Sequence, residues 1–245
     1  MREKYCNALL SILVTIEQTA LFTLAFYLMF AVLPMRASSI REDFFIYTMP
    51  GVFLFMAHIE TVKAISASEK STSAIMQHAP MNTAITISAA AISVLHTKIM
   101  AGLVLLFGYY VVLSPFEIKD SASCLGMVIL AWMSCIAVDL VFMAAKPWAP
   151  GPIGLMSMVY QRANMVALAK MFVANSLLPF MLSMSDWNPL FHITDQTWGF
   201  AFVNYTPHNS SFFYPIYITL TFLLIELKIE FVTRKNASAS WGARC

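Results

Sequence analysis

An all-α integral membrane protein with six transmembrane helices is the fold class this sequence predicts, and three observations predict it. Of its 245 residues, 59% are hydrophobic and 11% charged, whereas soluble domains run about 45–50% apolar and about 25% charged. The apolar residues gather into stretches near the ~20 residues that a helix needs to cross a bilayer. The acidic and basic residues inside those stretches all fall in the half nearest one and the same side.

The first span is placed near Ile12 to Leu33. The basic start Met1-Arg2-Glu3-Lys4 could introduce a signal peptide, with Ala37 and Ser39 as a weak cleavage site. The apolar run exceeds the ~7–15 residues of a signal core, so an uncleaved anchor is expected. The second span runs near Phe44 to Ile65. The connector from Ala67 to Ala84, ASEKSTSAIMQHAPMNTA, is polar, with one short helical stretch around Ser71 to His78 ended by Pro80. By composition it is a solvated connector, long enough to dock a partner. The third and fourth spans lie near Ile85 to Leu113 and Leu125 to Ala145. Between the fourth and fifth, KPWAPGPIGLMSMVYQR carries Pro147, Pro150, Pro152, Gly151 and Gly154 and is expected to be irregular backbone. The fifth and sixth spans are placed near Ala163 to Ser183 and Tyr214 to Val232.

Orientation follows from basic residues at span ends, which are retained on the cytoplasmic side. With the N-terminus inside, the inner segments hold Arg2, Lys4, Lys70, Lys146, Arg162, Arg234, Lys235 and Arg244, against Arg36, Arg41 and Lys119 outside. Both termini are therefore expected to be cytoplasmic. The long outer segment from Met184 to Phe213 has no Lys or Arg and contains Asp186 and Asp195.

On this topology Glu17 is early in its span, His58, Glu60 and Lys63 late, and His96 and Lys98 before the most apolar part of theirs. Asp139 is late, Lys170 early, and Glu226, Lys228 and Glu230 late. A charge at the bilayer centre costs at least ~2.5–3.5 kcal/mol, so these groups must meet water, partners or the interface. Protrusion of the helices with Lys snorkelling explains the sixth span best. Glu17 and Asp139 cannot snorkel far, and for them an inner vestibule open to the cytosol is the alternative.

The outer segment is rich in rings, among them Trp187, Phe191, Trp198, Phe200, Phe202, Tyr205 and Phe212. That density suggests short helices dipping back into the membrane, since irregular backbone at that depth survives only when buried in protein or facing water. An interfacial aromatic belt is the simpler reading and accounts for Tyr214 and Tyr217. For the others a lining role is the alternative, because ring faces pack on the apolar faces of sugars.

Several classes are excluded or disfavoured. A net charge of +2 with no basic cluster among aromatics argues against nucleic acid. Cys6, Cys124, Cys135 and Cys245 form no CxxC pair, so neither a disulfide framework nor a metal site is implied. Sequons start at Asn204, Asn209 and Asn236; the first two lie in the outer segment and would matter only in a eukaryotic secretory pathway. Met and Phe are packing residues before they are a cofactor box, and no cofactor is expected. An intramembrane enzyme would need a G-x-S-x-G or H-E-x-x-H arrangement that the chain lacks.

Trp187-Asn188-Pro189-Leu190-Phe191-His192, followed by Tyr214-Pro215-Ile216-Tyr217 and a last span ending in Val232-Thr233-Arg234-Lys235, resembles the C-terminal part of ABC-2-type permeases that export capsular polysaccharide or O-antigen. Asn175 to Trp187, with Leu177-Leu178-Pro179, looks like that family's fifth span. Asp195 matches an acidic position after the His. Trp198 stands where the family usually has an Arg, and only Met1 to Ser11 precede the first span where an amphipathic interfacial helix is common.

The resemblance implies an inner-membrane homodimer paired with two copies of a separate ABC ATPase, exporting a polysaccharide or lipid-linked glycan, with periplasmic and outer-membrane export proteins as further partners. It implies re-entrant or gate helices in the last outer loop, with Trp187, Asn188, Pro189, His192, Asp195, Trp198 and Tyr205 at the outer gate. It also implies a coupling helix within Ala67 to Ala84, with Glu69 and Lys70 near the ATPase contact. No G-x-x-x-x-G-K-[ST] loop occurs, so ATP hydrolysis is expected on the partner. The alternative cargo is a drug, lipid or other small amphiphile.

Overall fold

A computed structural model of the chain describes residues 8–32, 44–75, 83–112, 116–146, 148–167 and 174–242. Among these residues there are eight α-helices, one 3-10 turn and no strand. They are α1 (Ala8–Val32), α2 (Phe44–Ile75), α3 (Thr83–Val112), α4 (Ser121–Ala145), α5 (Pro150–Ala167), α6 (Pro179–Ser185), α7 (Pro189–Ala201) and α8 (Phe213–Gly242).

Among the described residues three helical segments are long and apolar enough to cross a membrane: Phe45–Ser66 in α2, Ile85–Val112 in α3 and Ser121–Ala145 in α4. The most apolar window of α2 is 72% buried, against 33% for α3 and 39% for α4, which makes α2 the central helix. It packs against α1, α3, α4 and α7, while α8 lies along α4. Large apolar side chains are exposed on every outer helix, including Leu21 and Leu24 on α1, Leu103 and Phe107 on α3, Ile129 on α4 and Leu220 and Leu224 on α8. Water would penalise so continuous an apolar exterior; a lipid environment does not.

Polar side chains within these helices are satisfied locally. The hydroxyls of Thr19, Thr23, Thr61 and Thr97 each donate to the backbone carbonyl four residues earlier. Such back-bonding lets a Thr sit in an apolar helix without an orphan donor. At the start of α4, Asp120 caps the helix by accepting from the Ser123 amide at 3.0 Å and from the Ser123 hydroxyl. These bonds favour the carboxylate and hold Asp120 below the usual range, the hydroxyl bond contributing most.

Three sequence expectations are corrected. The helix of the second span does not stop at Ile65: α2 continues to Ile75, so Glu69 and Lys70 belong to its last turns rather than to a connector. Ser, Glu, Lys and Ala prolong a helix as well as they fill a loop, and hydropathy cannot separate the two. The Pro-rich stretch after the fourth span is helical from Pro150, because Pro150 and Pro152 occupy the first turn, whose N–H groups have no intrahelical acceptor anyway. The expected fifth span is not one helix. α5 is described as far as Ala167, a 3-10 turn covers Ala174–Ser176, and α6 begins afresh at Pro179. A proline at that position cannot donate to the preceding turn and so starts a helix rather than continuing one.

In the last outer segment, Met184 to Phe213, α7 is a short helix, whereas α6 starts within the stretch expected as the fifth span and only its last two residues reach the outer segment. α7 starts level with the middle of α4: Leu190 and Ile193 pack with Met127, Ala131, Leu54 and Phe55. It ends at the N-terminal end of α4, where the amides of Lys119 and Asp120 donate to Ala201 and Phe200 at 3.1 and 3.0 Å. Thirteen residues at 1.5 Å each make α7 about 20 Å long, about two-thirds of a 30 Å hydrocarbon core and too short to cross it. The strand of chain after it folds back closely: a Cβ on Gly199 would lie 2.6 Å from Pro207 Cδ.

Candidate functional site

The described residues concentrate their buried polar groups in three places, and the first is the α7 cap. Asn188 is the N-cap of α7: its side-chain oxygen accepts from the Leu190 amide at 3.0 Å, and Pro189 occupies the first turn. The Asn188 amide also donates to Asn164 Oδ1 of α5 at 2.7 Å. Asn188→Ala is expected to cost about 2 kcal/mol, the sum of a lost cap and a lost buried hydrogen bond. Asn188→Ser, which keeps the cap oxygen, recovers about half of that. Thermal unfolding in detergent measures both.

One turn on, His192 is buried against the ring of Tyr214, with centroids 4.6 Å apart. The Ser211 amide donates to His192 Nδ1 at 3.1 Å, so the proton sits on Nε2 and is given to the Asp186 carbonyl at 2.6 Å. Asp195 is 1% exposed. Its Oδ1 accepts from the Ala174 amide at 3.1 Å and the Tyr205 hydroxyl at 2.6 Å, and its Oδ2 from the Ser210 hydroxyl at 2.7 Å. Burial first, then the adjoining Asp195 carboxylate, pushes Tyr205 well above the usual phenol range. Tyr205 therefore acts here as a fixed donor, not as an acid.

Trp198 stacks on Tyr47 with centroids 5.3 Å apart, donates from Nε1 to the Tyr47 carbonyl at 3.0 Å, and is 1% exposed. Of the seven residues expected at an outer gate, Trp187 alone is exposed, at the corner between α6 and α7, where its carbonyl accepts from Tyr214 Oη at 2.8 Å. Trp198 and Tyr205 were expected to present ring faces to a passing chain. Both are instead packed into an aromatic cluster with Ile46, Tyr47, Tyr109 and Phe202. They are packing residues of that cluster in this conformation; hydropathy shows that a Trp is present but not which way it faces.

The second place lies at mid-depth between α2, α4 and α5. The thiol of Cys135 on α4 meets His58 Nδ1 on α2, and Asn164 Nδ2 lies 3.4 Å from His58 Nε2. Through Asn188 this chain of contacts reaches α7, so α2, α4, α5 and α7 share one buried polar network. Asp139 follows Cys135 by one turn, is 2% exposed, and lies 3.5 Å from the Ser66 hydroxyl. Glu17, by contrast, is exposed on α1. The two residues assigned to an inner vestibule therefore occupy different surroundings, and Asp139 is enclosed by helices rather than by water.

The third place was not paired from the sequence. Lys98 on α3 is buried and forms an ion pair with Glu60 on α2 at 2.7 Å, while its Nζ also donates to Thr19 Oγ1 on α1 at 3.2 Å. A Lys and a Glu within apolar stretches signal that each needs a partner. Sequence does not say which.

The side chains of Glu69 and Lys70 lie outside the described residues. Among the described residues no cluster of three or more His, Cys, Asp or Glu could hold a metal ion. Fold and site thus define a class: an all-helical bundle with three helices fit to cross a membrane, knit together by buried polar contacts. No protein-family model matches the chain, and no curated protein matches it.

Proposed function

We propose that this chain is the membrane-spanning permease subunit of an ATP-binding cassette exporter, carrying a polysaccharide or lipid-linked glycan across the cytoplasmic membrane. The observation that supports it most is the helix pair α6–α7. An apolar-flanked Asn-Pro starts α7 level with mid-bundle and returns the chain to the outer end, in the segment whose sequence resembles the ABC-2 polysaccharide exporters. In this reading α6 and α7 form a re-entrant hairpin beneath the outer gate, and α1, α5 with its continuation, and α8 complete a six-crossing layout with both ends inside. The C-terminal turns of α2, carrying Glu69 and Lys70, receive the push of a separate ATPase. Two copies of this chain enclose the path.

Trp187 is the residue on which the gate role now rests. Trp187→Ala is expected to lower surface polysaccharide while leaving membrane insertion intact, since the side chain is 61% exposed and truncating it opens no cavity. Trp198→Ala is a poor probe of the same role, because deleting a buried Trp costs about 3–5 kcal/mol of stability by itself. Charge reversal at Glu69 and Lys70 tests the coupling contact. Co-purification of a nucleotide-hydrolysing partner with the wild type but not with the reversed pair supports the reading, and wild-type export with Trp187→Ala removes the gate.

A further inference from the structure

α3 and α4 each pack along α2, and between their outer halves they leave a chamber of about 430 Å³. Its walls are apolar: Phe53 from α2, Leu106 from α3, and Leu125 and Val128 from α4. Gly102 is part of the wall and lets the Phe53 ring pack against the α3 backbone, because a Cβ there would lie 2.8 Å from Phe53 Cε2. Leu103 and Leu125 line the chamber and are also 56% and 48% exposed on the outside of the bundle, so the space opens sideways between α3 and α4. Further inward the two helices are tied together by the Trp132 indole, which donates to the Ala91 carbonyl at 2.9 Å. The polar groups are at the other end, where Glu117 lines the rim and exposed Lys119 follows two residues on.

We propose that this chamber holds one acyl chain of a zwitterionic bilayer phospholipid, its headgroup seated at the Glu117 and Lys119 rim. Volume places the chamber among ligand sites, which run about 300–1,000 Å³. The lateral opening onto exposed leucines admits hydrocarbon, and an apolar space of this kind does not hold water. The stretch of α4 that lines it, Ser121 to Val128, rises about 10 Å, against about 15 Å for one leaflet of a 30 Å hydrocarbon core. An acyl chain entering from the outer leaflet therefore fills it with its upper part. At the rim, Lys119 offers a cation to the phosphate and Glu117 an anion to the ammonium. The inference needs the membrane placement of α2, α3 and α4 but neither the ATPase nor a glycan cargo.

The test uses the purified full chain in vesicles of phosphatidylethanolamine and phosphatidylglycerol, doped with phosphatidylethanolamine carrying a photoreactive diazirine on its acyl chain. Cross-linked peptides mapped by mass spectrometry are expected to be enriched severalfold around Leu106 and Val128 over the exposed Leu21 and Leu24 of α1. Val128→Trp and, separately, Leu106→Phe fill the chamber; each is expected to lose that enrichment while α1 stays labelled, the α1 signal reporting intact protein. Glu117→Lys is expected to lower labelling by the phosphatidylethanolamine probe relative to a phosphatidylglycerol probe. Equal labelling of chamber and α1, or enrichment that survives both filling variants, overturns the proposal. So does a cross-link between two copies of the chain through Leu103 or Leu125, which would show a protein surface seated in the opening. The vesicles contain no ATPase and no glycan, so failure here leaves the export reading standing, and failure of the export assay leaves this site standing.

Discussion

Asp195→Ala is expected to cost the folded protein about 3–5 kcal/mol, because it removes the acceptor of three donors at once and leaves them buried or partly buried. The Ala174 amide, the Tyr205 hydroxyl and the Ser210 hydroxyl all converge on that one carboxylate. They come from the turn before α6, from the chain after α7 and from the approach to α8, so the loss is not local. The whole α6–α7 unit is anchored to its flanking segments through Asp195. Asp195→Asn retains a carbonyl oxygen but replaces the other acceptor with a donor that faces Ser210 or Tyr205, and it is expected to recover less than half of the loss. Tyr205→Phe removes one donor along with its bond and should cost about 1 kcal/mol. Equilibrium unfolding in mixed micelles, followed by tryptophan fluorescence, ranks the three; equal stability of Asp195→Ala and wild type would mean that the network contributes nothing.

The second large effect is asymmetric. Glu60→Leu leaves the Lys98 ammonium, whose side chain is 1% exposed, with Thr19 as its remaining described contact, and is expected to cost about 3–5 kcal/mol. Lys98→Met leaves Glu60, whose side chain is 26% exposed and so less completely buried than that of Lys98, and the expected loss is smaller, about 1–3 kcal/mol. The double variant removes both desolvated charges and is expected to regain most of the stability of the parent. A double-mutant cycle measures the coupling directly. Equal losses from the two single variants would contradict the burial asymmetry on which the prediction stands.

Legibility followed the physics of each segment. The spans of α3 and α4 were readable to within a few residues, because a lipid-facing helix needs apolar side chains on most of its circumference and hydropathy sums them. α2 was readable only as far as Ile65. Beyond that its residues are polar, and the chain continues as a helix through Ser, Glu and Lys, which hydropathy does not distinguish from a connector. α5 was missed because prolines signal a break everywhere except in the first turn of a helix, where Pro150 and Pro152 sit. In the α7 region, Asn188-Pro189 carried a real local signal, a cap followed by a first-turn proline. The orientation of Trp198 and Tyr205 had none, since their burial depends on Tyr47 and Tyr109, more than 80 residues away in the chain. The same holds for the Lys98 and Glu60 pair: the sequence showed two charges in need of partners, and only the packing of α3 on α2 joined them.

The claim on which the rest depends is that α6 and α7 form a hairpin whose corner lies inside the membrane while the chain after α7 emerges from it. Nitroxide labels placed singly at Trp187, at the corner, and at Val203, beyond α7, measure this in reconstituted vesicles through their relative accessibility to oxygen and to a water-soluble nickel chelate. Both positions are exposed enough to carry the label, at 61% and 70%. The expected result is an oxygen-rich, nickel-shielded Trp187 site and a nickel-accessible Val203 site. Water-like accessibility at both positions would place α6 and α7 on the surface and contradict the account.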